Sequence, residues 1–379
     1  MSDVKHKNLF EQLRMRILNG GYCVGASFPS ENALVRKYGY SRNTVQHALV
    51  QLEREGLIAR FPGRGTFVTK IGASRSIGLI VPGVALYPEF FQPIIATISR
   101  LSMAGGYQLI SYEGYSVEAA VRRKEVCAFA ESLLKKNVAG VIYEPMEMAH
   151  GRVFGNSQIL TSFAKANISV VLLDSDLVLP PKHSGYDLVT IDNVDAGAQL
   201  AYHLLEVGAR NICFMRGPEL WPNVQKRMQG VMCAMVSSGK RWTDANVLVA
   251  DPKNVMAVRS FLRRHPSIDA FVCDCDTTAA RLKQSLDKLG IAVPDEIKLA
   301  GFDDVKIARL MSPPLTTIHQ PCEDLAHAAF DRLLARIANP ELSPVTVSML
   351  ASLTVRESTV RHFGCGIGKA LKACGRNVK

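Results

Sequence analysis

The sequence predicts two regions of different fold class: a small α+β winged helix-turn-helix at the N-terminus, and a larger α/β region of two lobes with parallel sheets. The first prediction depends on residues 26–69, where two short helical patterns, a tight turn and a glycine-tipped hairpin follow one another. The second depends on short apolar runs that alternate with helical stretches from residue 76 onwards. The distribution of charge separates the same two regions.

The positive charge of the chain is concentrated at its two ends. Residues 1–70 carry 11 Lys and Arg against 5 Asp and Glu, and residues 361–379 carry 5 against none. Residues 71–360 hold equal numbers of both signs, so the net charge of +11 lies entirely outside them. This segregation indicates a polyanionic partner for the N-terminal region.

Several function classes are excluded by what the sequence lacks. The start, MSDVKHKNLF, has no apolar signal-peptide core, and no stretch of 18 uninterrupted apolar residues follows, so we expect a cytoplasmic protein with no membrane partner. The nine cysteines are scattered without a CxxC pair, which predicts reduced thiols and no metal site. No dinucleotide, P-loop, GxSxG or HExxH motif is present, so we predict no cofactor, no catalytic residues and no enzyme.

Three helices are predicted in the N-terminal region. The first carries apolar residues at helical spacing and ends at two glycines: Leu9, Phe10, Leu13, Ile17 and Leu18, then Gly20 and Gly21. Ser30 suits the N-cap of a second helix through Tyr38, and Ser41 caps a third that runs to about Glu55. With Gly39 as the turn, the second and third helices form a helix-turn-helix.

The third helix places polar side chains near its N-terminal end: Arg42, Asn43, Thr44, Gln46 and His47. Arg suits guanine, Asn and Gln suit adenine, and the Thr methyl can contact thymine. Ser41 and the free amides of the first turn suit a phosphate. This face, together with the charge, favours double-stranded DNA as the partner over a protein.

A hairpin is predicted after the third helix. Residues 57–61 and 66–70 form its strands, joined by Pro62-Gly63-Arg64-Gly65. The glycines allow a tight tip to approach DNA closely, and Arg64 can enter the minor groove.

The string PSENALVRKYGYSRNTVQHALVQLEREGLI, followed by PGRGTFV, is similar to the GntR family of bacterial transcription regulators. The resemblance implies DNA contacts from both helix starts and from the wing tip: Ser30, Glu31, Asn32, Ser41, Arg42, Asn43, Thr44, Gln46, Gly63, Arg64 and Gly65. Asn32 and Gln46 stand where many members have Arg. We therefore expect DNA binding but do not carry over the family's usual operator sequence.

The larger region contains eight apolar runs that we predict as strands: Ile77–Val81, Gln108–Tyr112, Ala139–Tyr143, Val170–Leu173, Leu188–Ile191, Ile212–Met215, Ala270–Cys273 and Lys298–Phe302. Their alternation with helices predicts parallel sheets that are covered on both sides, and the length of the region favours two lobes. Ligands of such sheets bind at the carboxyl ends of the strands, so a cleft between the lobes is the expected site.

Several strings of the larger region resemble the sensor domain of the LacI/GalR family, which is similar to periplasmic sugar-binding proteins (type I): SIGLIVP, DAFVCDCDTTAA, GIAVPDEIKLAGFDDVKIARLMSPPLTTIHQP and LTVRESTV. The resemblance spans about residues 76–360. A GntR-type reader joined to such a sensor resembles the arabinose-responsive repressors in architecture. It implies four domains or segments: the winged domain (1–72), a linker (73–75), the effector-binding and dimerisation domain (76–360) and a basic tail (361–379).

The same resemblance implies effector-binding roles for Phe91, Arg227, Asp303 and Gln320. Arg provides a planar donor fork, Asp accepts hydrogen bonds from paired hydroxyls, and aromatic faces such as Phe91 and Trp221 cover the apolar side of a sugar. Alternatively, the two aromatic residues are ordinary core, Asp303 caps the next helix, and Arg227 only bridges the lobes. Cys275 replaces the Asn of the family's Asn-Asp pair, so ligand selection should differ.

The sequence therefore predicts a ligand-responsive, DNA-binding homodimer that represses carbohydrate genes and is released by a sugar. A ligand-dependent co-repressor or activator would use the same parts. A sugar-binding receptor and a sugar-processing enzyme are the alternatives from other classes.

Overall fold

A computed structural model describes residues 9–14, 16–17, 22, 25–62, 64–69, 76–146, 155–179, 182–218 and 221–360. Gly63, the linker (73–75) and the basic tail (361–379) lie outside the described residues, so the predictions made for them stay predictions. Within the described residues, no helix is long and apolar enough to cross a membrane.

The N-terminal region forms three helices and a small antiparallel sheet. Its elements in chain order are α1 (residues 9–14 and 16–17), β1 (Ser27–Phe28), α2 (Glu31–Tyr38), α3 (Arg42–Arg54), β2 (Ile58–Phe61) and β3 (Gly65–Val68). The strand order is β1-β3-β2. The sequence did not predict β1, a two-residue strand that pairs with the wing at Phe67 and Thr66.

Caps and an apolar core account for the helix-turn-helix. The Ser30 side chain accepts a hydrogen bond from the Ala33 amide, and the Ser41 side chain accepts one from the Thr44 amide, each at 3.3 Å. Gly39 has a φ of 70°, which a side chain rarely adopts, so glycine suits this turn. The buried apolar side chains of all three helices meet in one cluster that includes Leu13, Leu34, Val45, Leu49 and Leu52. The predicted winged helix-turn-helix is confirmed.

The first half of the larger region follows the predicted alternation. Its elements are β4 (Ser76–Ile80), α4 (Pro88–Ala104), β5 (Gln108–Ser111), α5 (Ala119–Lys135), β6 (Gly140–Tyr143), α6 (Asn156–Lys165), β7 (Ser169–Leu173) and β8 (Asp187–Ile191). The second half contains α7 (Asn193–Glu206), β9 (Ile212–Arg216), α8 (Pro222–Ser237), β10 (Val247–Val249), α9 (Val255–Arg264), β11 (Ala270–Cys273), α10 (Asp276–Lys288), β12 (Lys298–Asp303), α11 (Lys306–Leu310), β13 (Thr316–His319), α12 (Cys322–Ala338), β14 (Thr346–Met349) and β15 (Ser352–Thr354).

These strands form two six-stranded sheets, one in each lobe. The first has the order β14-β8-β7-β6-β4-β5 and is parallel throughout. The second has the order β10-β9-β11-β12-β13-β15 and is parallel except for β15, which runs antiparallel to β13. Since α12 packs on the first sheet and β14 joins it, the chain returns to the first lobe before β15 joins the second sheet. The predicted two-lobed α/β fold is confirmed.

Two glycines set the contact between α7 and α8. A Cβ on Gly197 would lie 2.1 Å from the carbonyl oxygen of Arg227, and a Cβ on Gly230 would lie 2.0 Å from that of Val194. No side chain larger than hydrogen fits at either position without moving a helix. The close approach therefore fixes the backbone of Arg227 relative to α7.

Candidate functional site

The N-terminal region presents an exposed polar face made of two helix starts and a wing tip. The side chains of Ser30 and Asn32 are exposed at the start of α2. Those of Ser41, Arg42, Asn43 and Gln46 are exposed at the start of α3, where Arg42 has a side chain that is 73% exposed. Arg64 and Gly65 are exposed at the tip. This arrangement can present hydrogen-bond donors and a positive charge to a groove of DNA.

Glu31 supports this face through its charge. Its carboxylate lies 3.7 Å from the Arg42 guanidinium and 3.7 Å from that of Arg60. A carboxylate facing a phosphate would be repelled, whereas one beside two arginines restricts where they point. The geometry therefore favours a positioning role for Glu31 over the direct DNA contact that the sequence predicted.

Thr44 lies differently from the expectation. Its side chain is buried, and its hydroxyl lies 2.8 Å from the Ser41 hydroxyl. This burial does not favour the thymine contact that the sequence predicted for the Thr44 methyl, because the hydroxyl of the side chain takes part in the cap of α3. The hydrogen-bonded Ser41 hydroxyl and the first amides of α3 remain the polar groups at this point.

The wing tip is a short, hydrogen-bonded turn. The Arg64 amide donates to the Phe61 carbonyl at 2.9 Å, and Gly65 has a φ of 106°, a conformation that disfavours any side chain. The rings of Phe61 and Phe67 meet edge to face, with centroids 6.0 Å apart. Their contact braces the hairpin below the exposed Arg64.

A second site lies where strands of both sheets end, in a cleft between the lobes. The first lobe contributes Tyr87, Phe90 and Phe91 from α4 and its entry, Glu144 after β6, and Asp174 after β7. The second lobe contributes Trp221, Asn223 and Arg227 at the start of α8, Asp274 and Cys275 after β11, and Asp303 at the end of β12. The mixed apolar and polar walls of this cleft suit a small molecule.

Arg227 is buried at the centre of the cleft and is held in one orientation. Its Nε donates to Asn193 Oδ1 at 2.8 Å, and its Nη1 donates to the Asp274 carbonyl at 2.7 Å. The guanidinium carbon lies 4.4 Å from the centroid of the Phe302 ring. These partners belong to α7 and the second lobe, so the alternative that Arg227 only bridges the lobes is not supported.

Asp303 faces Arg227 with a separation of 3.6 Å between Oδ1 and Nη1. It has a φ of 105°, so the backbone is strained in order to direct this side chain into the cleft. The alternative that it caps the next helix is wrong, because α11 begins at Lys306 with Val305 as its N-cap. Burial raises the pKa of Asp303, and Arg227 opposes that shift.

Gln320 supports Asp303 from outside the cleft wall. Its Nε2 donates to Asp303 Oδ1 at 2.6 Å, and the residue is fully buried. Gln320 does not line the cleft that the other five predicted residues share. The geometry therefore favours a positioning role over the direct effector contact that the sequence predicted.

The aromatic residues belong both to the apolar core of the larger region and to the cleft wall, so the core alternative and the effector-binding alternative both stay open. Phe91 is buried but lines the cleft, and its ring meets that of Phe90 edge to face at 4.7 Å. Trp221 is half-buried at the N-cap of α8. Tyr87 and Phe90 also line the cleft, although the sequence interpretation did not select them.

The Cys275–Asp276 pair divides into a wall residue and a structural residue. The Cys275 sulfur lies 3.4 Å from the Thr278 hydroxyl, and burial raises the pKa of its thiol, which stays neutral. Asp276 is fully buried, accepts from the Thr317 hydroxyl at 2.6 Å and from the Val305 amide at 3.0 Å, and so ties β13 to the start of α11. Only Cys275 lines the cleft.

Sequence reasoning missed three acidic residues and one amide in the cleft wall. Glu144, Asp174 and Asp274 each follow a strand directly, or within one residue, so the carboxyl-end rule was the signal that could have found them. Asn223 Nδ2 donates to Asp174 Oδ2 at 2.7 Å across the cleft. Burial raises the pKa of Asp174 to about 6, although Arg227 acts in the opposite direction.

Comparisons with known proteins agree with this division of the chain. Residues 5–68 match the bacterial regulatory proteins of the gntR family, and residues 201–359 match the periplasmic binding protein-like domain. An arabinose metabolism transcriptional repressor of Geobacillus stearothermophilus is 25% identical over 94% of this chain and 97% of its own length. A ribose operon repressor of Halalkalibacterium halodurans is 25% identical over 88% of this chain and 93% of its own length. These relatives are regulators of transcription and not enzymes, in agreement with the sequence prediction.

The fold has a close counterpart among solved structures. A transcriptional regulator CelR–cellobiose complex superposes with a TM-score of 0.65 at 21% identity and covers 87% of this chain and 100% of its own. The similarity at this identity concerns the fold alone. The chain thus carries a gntR-type regulatory domain and a two-lobed periplasmic binding protein-like domain.

Proposed function

We propose, from the premise that this chain joins a gntR-family regulatory domain to a periplasmic binding protein-like domain, that it represses carbohydrate uptake or catabolism genes and is released from its operator by a sugar. The arabinose and ribose repressors among its relatives support the class of regulated genes. As a reader of genomic DNA it acts in the cytoplasm.

The cleft supports the small-molecule part of the proposal. Arg227 and Asp303 form a rigid donor–acceptor pair in the wall, and aromatic side chains from both lobes stand beside them. A sugar ring offers hydroxyls to the pair and apolar faces to the rings. The single observation that carries the proposal is this polar and aromatic cleft in the same chain as an exposed helix-turn-helix.

We propose that the chain acts as a homodimer. Two winged domains would read half-sites about one helical turn, roughly 34 Å, apart. Closure of the lobes on a ligand would change the spacing of the two readers and lower their affinity for the operator.

The DNA-reading assignment is tested with two arginines of the same helix. Arg42→Ala should weaken binding to the DNA upstream of the chain's own gene by about 1–3 kcal/mol per reader. Arg54→Ala is the matched control, because Arg54 lies in the last turn of α3, about 18 Å along the helix at 1.5 Å per residue. Fluorescence anisotropy of labelled DNA measures both. Equal affinities of Arg42→Ala and the wild type would remove α3 from the interface.

The direction of the response is read in the same assay. A repressor released by its ligand loses DNA affinity when the cleft is filled, whereas a co-repressor gains it. A loss of DNA affinity on ligand binding supports the proposal. A gain would mean that the chain is a co-repressor, with the same DNA-reading face and the same cleft.

A further inference from the structure

We propose that Asn193 is a positioning residue: it ties Arg227, in the wall of the cleft, to the point where the chain crosses from the first lobe to the second. The inference rests on the proposed function in taking the cleft as the effector site, and it concerns the regulation of that site.

Asn193 lies at a crossing between the lobes. The strand β8 belongs to the first sheet and ends at Ile191, whereas α7 begins at Asn193 and packs against strands of the second sheet. Asn193 is buried, with 2% of its surface exposed. Because a rearrangement of the two lobes bends the chain at such a crossing, the contacts of a side chain held there depend on how the lobes are arranged.

The amide group of Asn193 makes hydrogen bonds in two directions. Its Oδ1 accepts from Arg227 Nε at 2.8 Å, on the side of the second lobe. Its Nδ2 donates to the Thr190 hydroxyl at 3.3 Å and to the Ile191 carbonyl at 3.2 Å, both on β8 of the first lobe. Because a guanidinium only donates, the amide oxygen must face Arg227 and the amide nitrogen must face β8. One side chain therefore joins the cleft arginine to the end of a first-lobe strand.

The hydrogen bonds continue from Thr190 to the opposite wall of the cleft and close into a ring. The Thr190 hydroxyl donates to the Asp174 carbonyl at 2.7 Å, and Asp174 Oδ2 accepts from Asn223 Nδ2 at 2.7 Å. Asn223 and Arg227 lie about one turn apart on α8. The ring consists of five buried residues, two from the first lobe and three from the second: Asp174, Thr190, Asn193, Asn223 and Arg227. Since buried hydrogen bonds in a network constrain one another, a shift of Arg227 changes the contacts of its neighbours in the ring.

The packing of α7 against α8 passes such a shift to the crossing. A Cβ on Gly197 of α7 would lie 2.1 Å from the Arg227 carbonyl oxygen, so the two helices approach too closely to slide independently. A ligand that displaces Arg227 therefore displaces the start of α7 as well. Asn193 is the residue that holds this point to β8.

A second crossing is attached to the first. The Asp192 amide donates to the carbonyl of Met349, the last residue of β14, at 2.7 Å. Gln199 Nε2, on α7, donates to the Ala351 carbonyl at 3.1 Å, just before β15. The chain passes from the first sheet to the second between β14 and β15. A movement that begins at Arg227 therefore acts on both crossings.

The Nε–H group of Arg227 reports its position without any ligand. Its signal in proton–nitrogen correlation spectra of the full chain is identified by its loss in Arg227→Lys. Thr190→Val removes a hydroxyl that lies two hydrogen bonds away from this group. We expect it to shift the Arg227 signal and to speed its exchange with water, because Asn193 loses an acceptor. Thr190→Ser keeps the hydroxyl and should keep the signal of the wild type.

Two comparisons isolate Asn193. Thr316→Val is the matched control, because Thr316 is also buried and its hydroxyl also donates to a backbone carbonyl, that of Arg356, at 2.9 Å. In the background of Asn193→Ala, the change at Thr190 should have no further effect on the Arg227 signal. Thr190→Ala replaces Thr190→Val if the latter does not fold.

Three results of these spectra would overturn the proposal. The first is an Arg227 signal that stays unchanged when the Thr190 hydroxyl is removed. The second is an equal shift in Thr316→Val. The third is an equal effect of the Thr190 change with and without Asn193.

The regulatory role is measured through DNA release. D-glucose, D-galactose, L-arabinose and maltose are titrated into the full chain bound to labelled upstream DNA. The ratio of DNA affinities without and with saturating sugar gives the coupling. For a sugar that releases the wild type from DNA, Thr190→Val should lower this ratio by about fivefold or more, whereas Thr190→Ser and Thr316→Val should keep it. An undiminished ratio in Thr190→Val would overturn the role of Asn193 in regulation.

Failure of this inference differs from failure of the proposed function. If a sugar releases DNA equally from the wild type and from Thr190→Val, the repressor stands and coupling through Asn193 is wrong. If the spectra show the expected dependence but a sugar that binds the chain leaves DNA affinity unchanged, the positioning role stands and the repressor is wrong. If none of the four sugars binds, the spectra alone decide the positioning role.

Discussion

Two arginines show how differently the two functional regions are built. Arg42 begins α3 with a side chain that is 73% exposed and one carboxylate at 3.7 Å. Arg227 lies in α8 with a side chain that is 5% exposed, two hydrogen bonds of 2.7–2.8 Å and an aromatic ring behind it. The same chemical group is exposed to solvent in one region, and buried and held by several partners in the other.

The difference follows from the partner that each region is proposed to meet. A DNA duplex carries a high density of negative charge, so it attracts an exposed arginine over a long range, and the arginine side chain can adjust to it on contact. A small ligand offers few contacts, so its site must be organised before it arrives. Mutations should therefore act on DNA affinity in the first region, and on both stability and ligand binding in the second.

The largest effect on stability is expected from Arg227→Ala. This change leaves Asp303 and the carbonyl of Asp274 without their buried cation and should lower the free energy of unfolding by about 3–5 kcal/mol. Denaturation by urea measures it, and Arg42→Ala is the control that should change stability by no more than about 0.5 kcal/mol. Equal stability of the two variants would remove the contrast between the regions.

A smaller effect, with a defined pH dependence, is expected from Asp174→Asn. Because the folded pKa of about 6 lies above the ordinary value of 3.8, the folded chain binds this proton more tightly than the unfolded chain does. The free energy of unfolding therefore falls as pH rises from about 4 to 6, by about 3 kcal/mol at most. Asp174→Asn lacks the titrating carboxyl and does not lose this stability, so its free energy of unfolding should rise relative to that of the wild type between pH 4.5 and pH 7.5.

Asp304 serves as the control for that experiment, because its pKa is shifted in the opposite direction to that of Asp174. Burial alone would raise the pKa of Asp304, but hydrogen bonds from Arg356 and Arg309 outweigh it and lower the pKa. The stabilisation by Asp304 is therefore present at neutral pH and is lost as pH falls through the folded pKa.

Other groups face Asp174 and stay unchanged in its variant: Arg227, Asp303 and Cys322. A constant difference between Asp174→Asn and the wild type at both pH values would contradict the assigned shift.

The smallest effect is expected from Glu31→Gln. Loss of the contact with Arg42 should reduce the preference for operator over random DNA by about 0.2–1 kcal/mol, the range of exposed ion pairs. Glu53→Gln is a close control: it also removes an acid beside Arg60 but has no contact with Arg42. Competition anisotropy against random DNA separates the two. If both variants lose the preference for operator over random DNA to the same extent, Glu31 acts through its negative charge alone and not through its contact with Arg42.

Local signals in the sequence were sufficient for most of the fold. Ser30, Gly39 and Ser41 mark helix boundaries through their own chemistry, and the eight predicted strands each contain a continuous apolar run, so all of them occur in the structure. The strands of the larger region that the sequence did not predict give a weaker signal. β10 is apolar but, like β15, only three residues long, and β13 has a single apolar residue among its four (Thr-Thr-Ile-His). β14 is a half-exposed edge strand that depends on the return of the chain to the first lobe.

The cleft was predicted in part, for a related reason. Arg227 and Asp303 were found through family resemblance, and the structure places both in the wall. Asp174 and Asp274 were missed because an acid after a strand is informative only once the neighbouring strand ends are known. The support that Gln320 gives to Asp303 joins the end of one strand to that of its neighbour, a contact that no local pattern encodes.

The central claim, that the cleft controls a separate DNA reader, is tested most directly by Asp303→Ala. The measurement is the anisotropy of labelled upstream DNA bound to the full chain, titrated with the sugar or amino sugar that stabilises the wild type most in a thermal-shift screen. We expect the wild type to release DNA, and Asp303→Ala to bind DNA equally well without responding to the ligand. Release from both proteins at the same ligand concentration would contradict control of the DNA reader by the cleft.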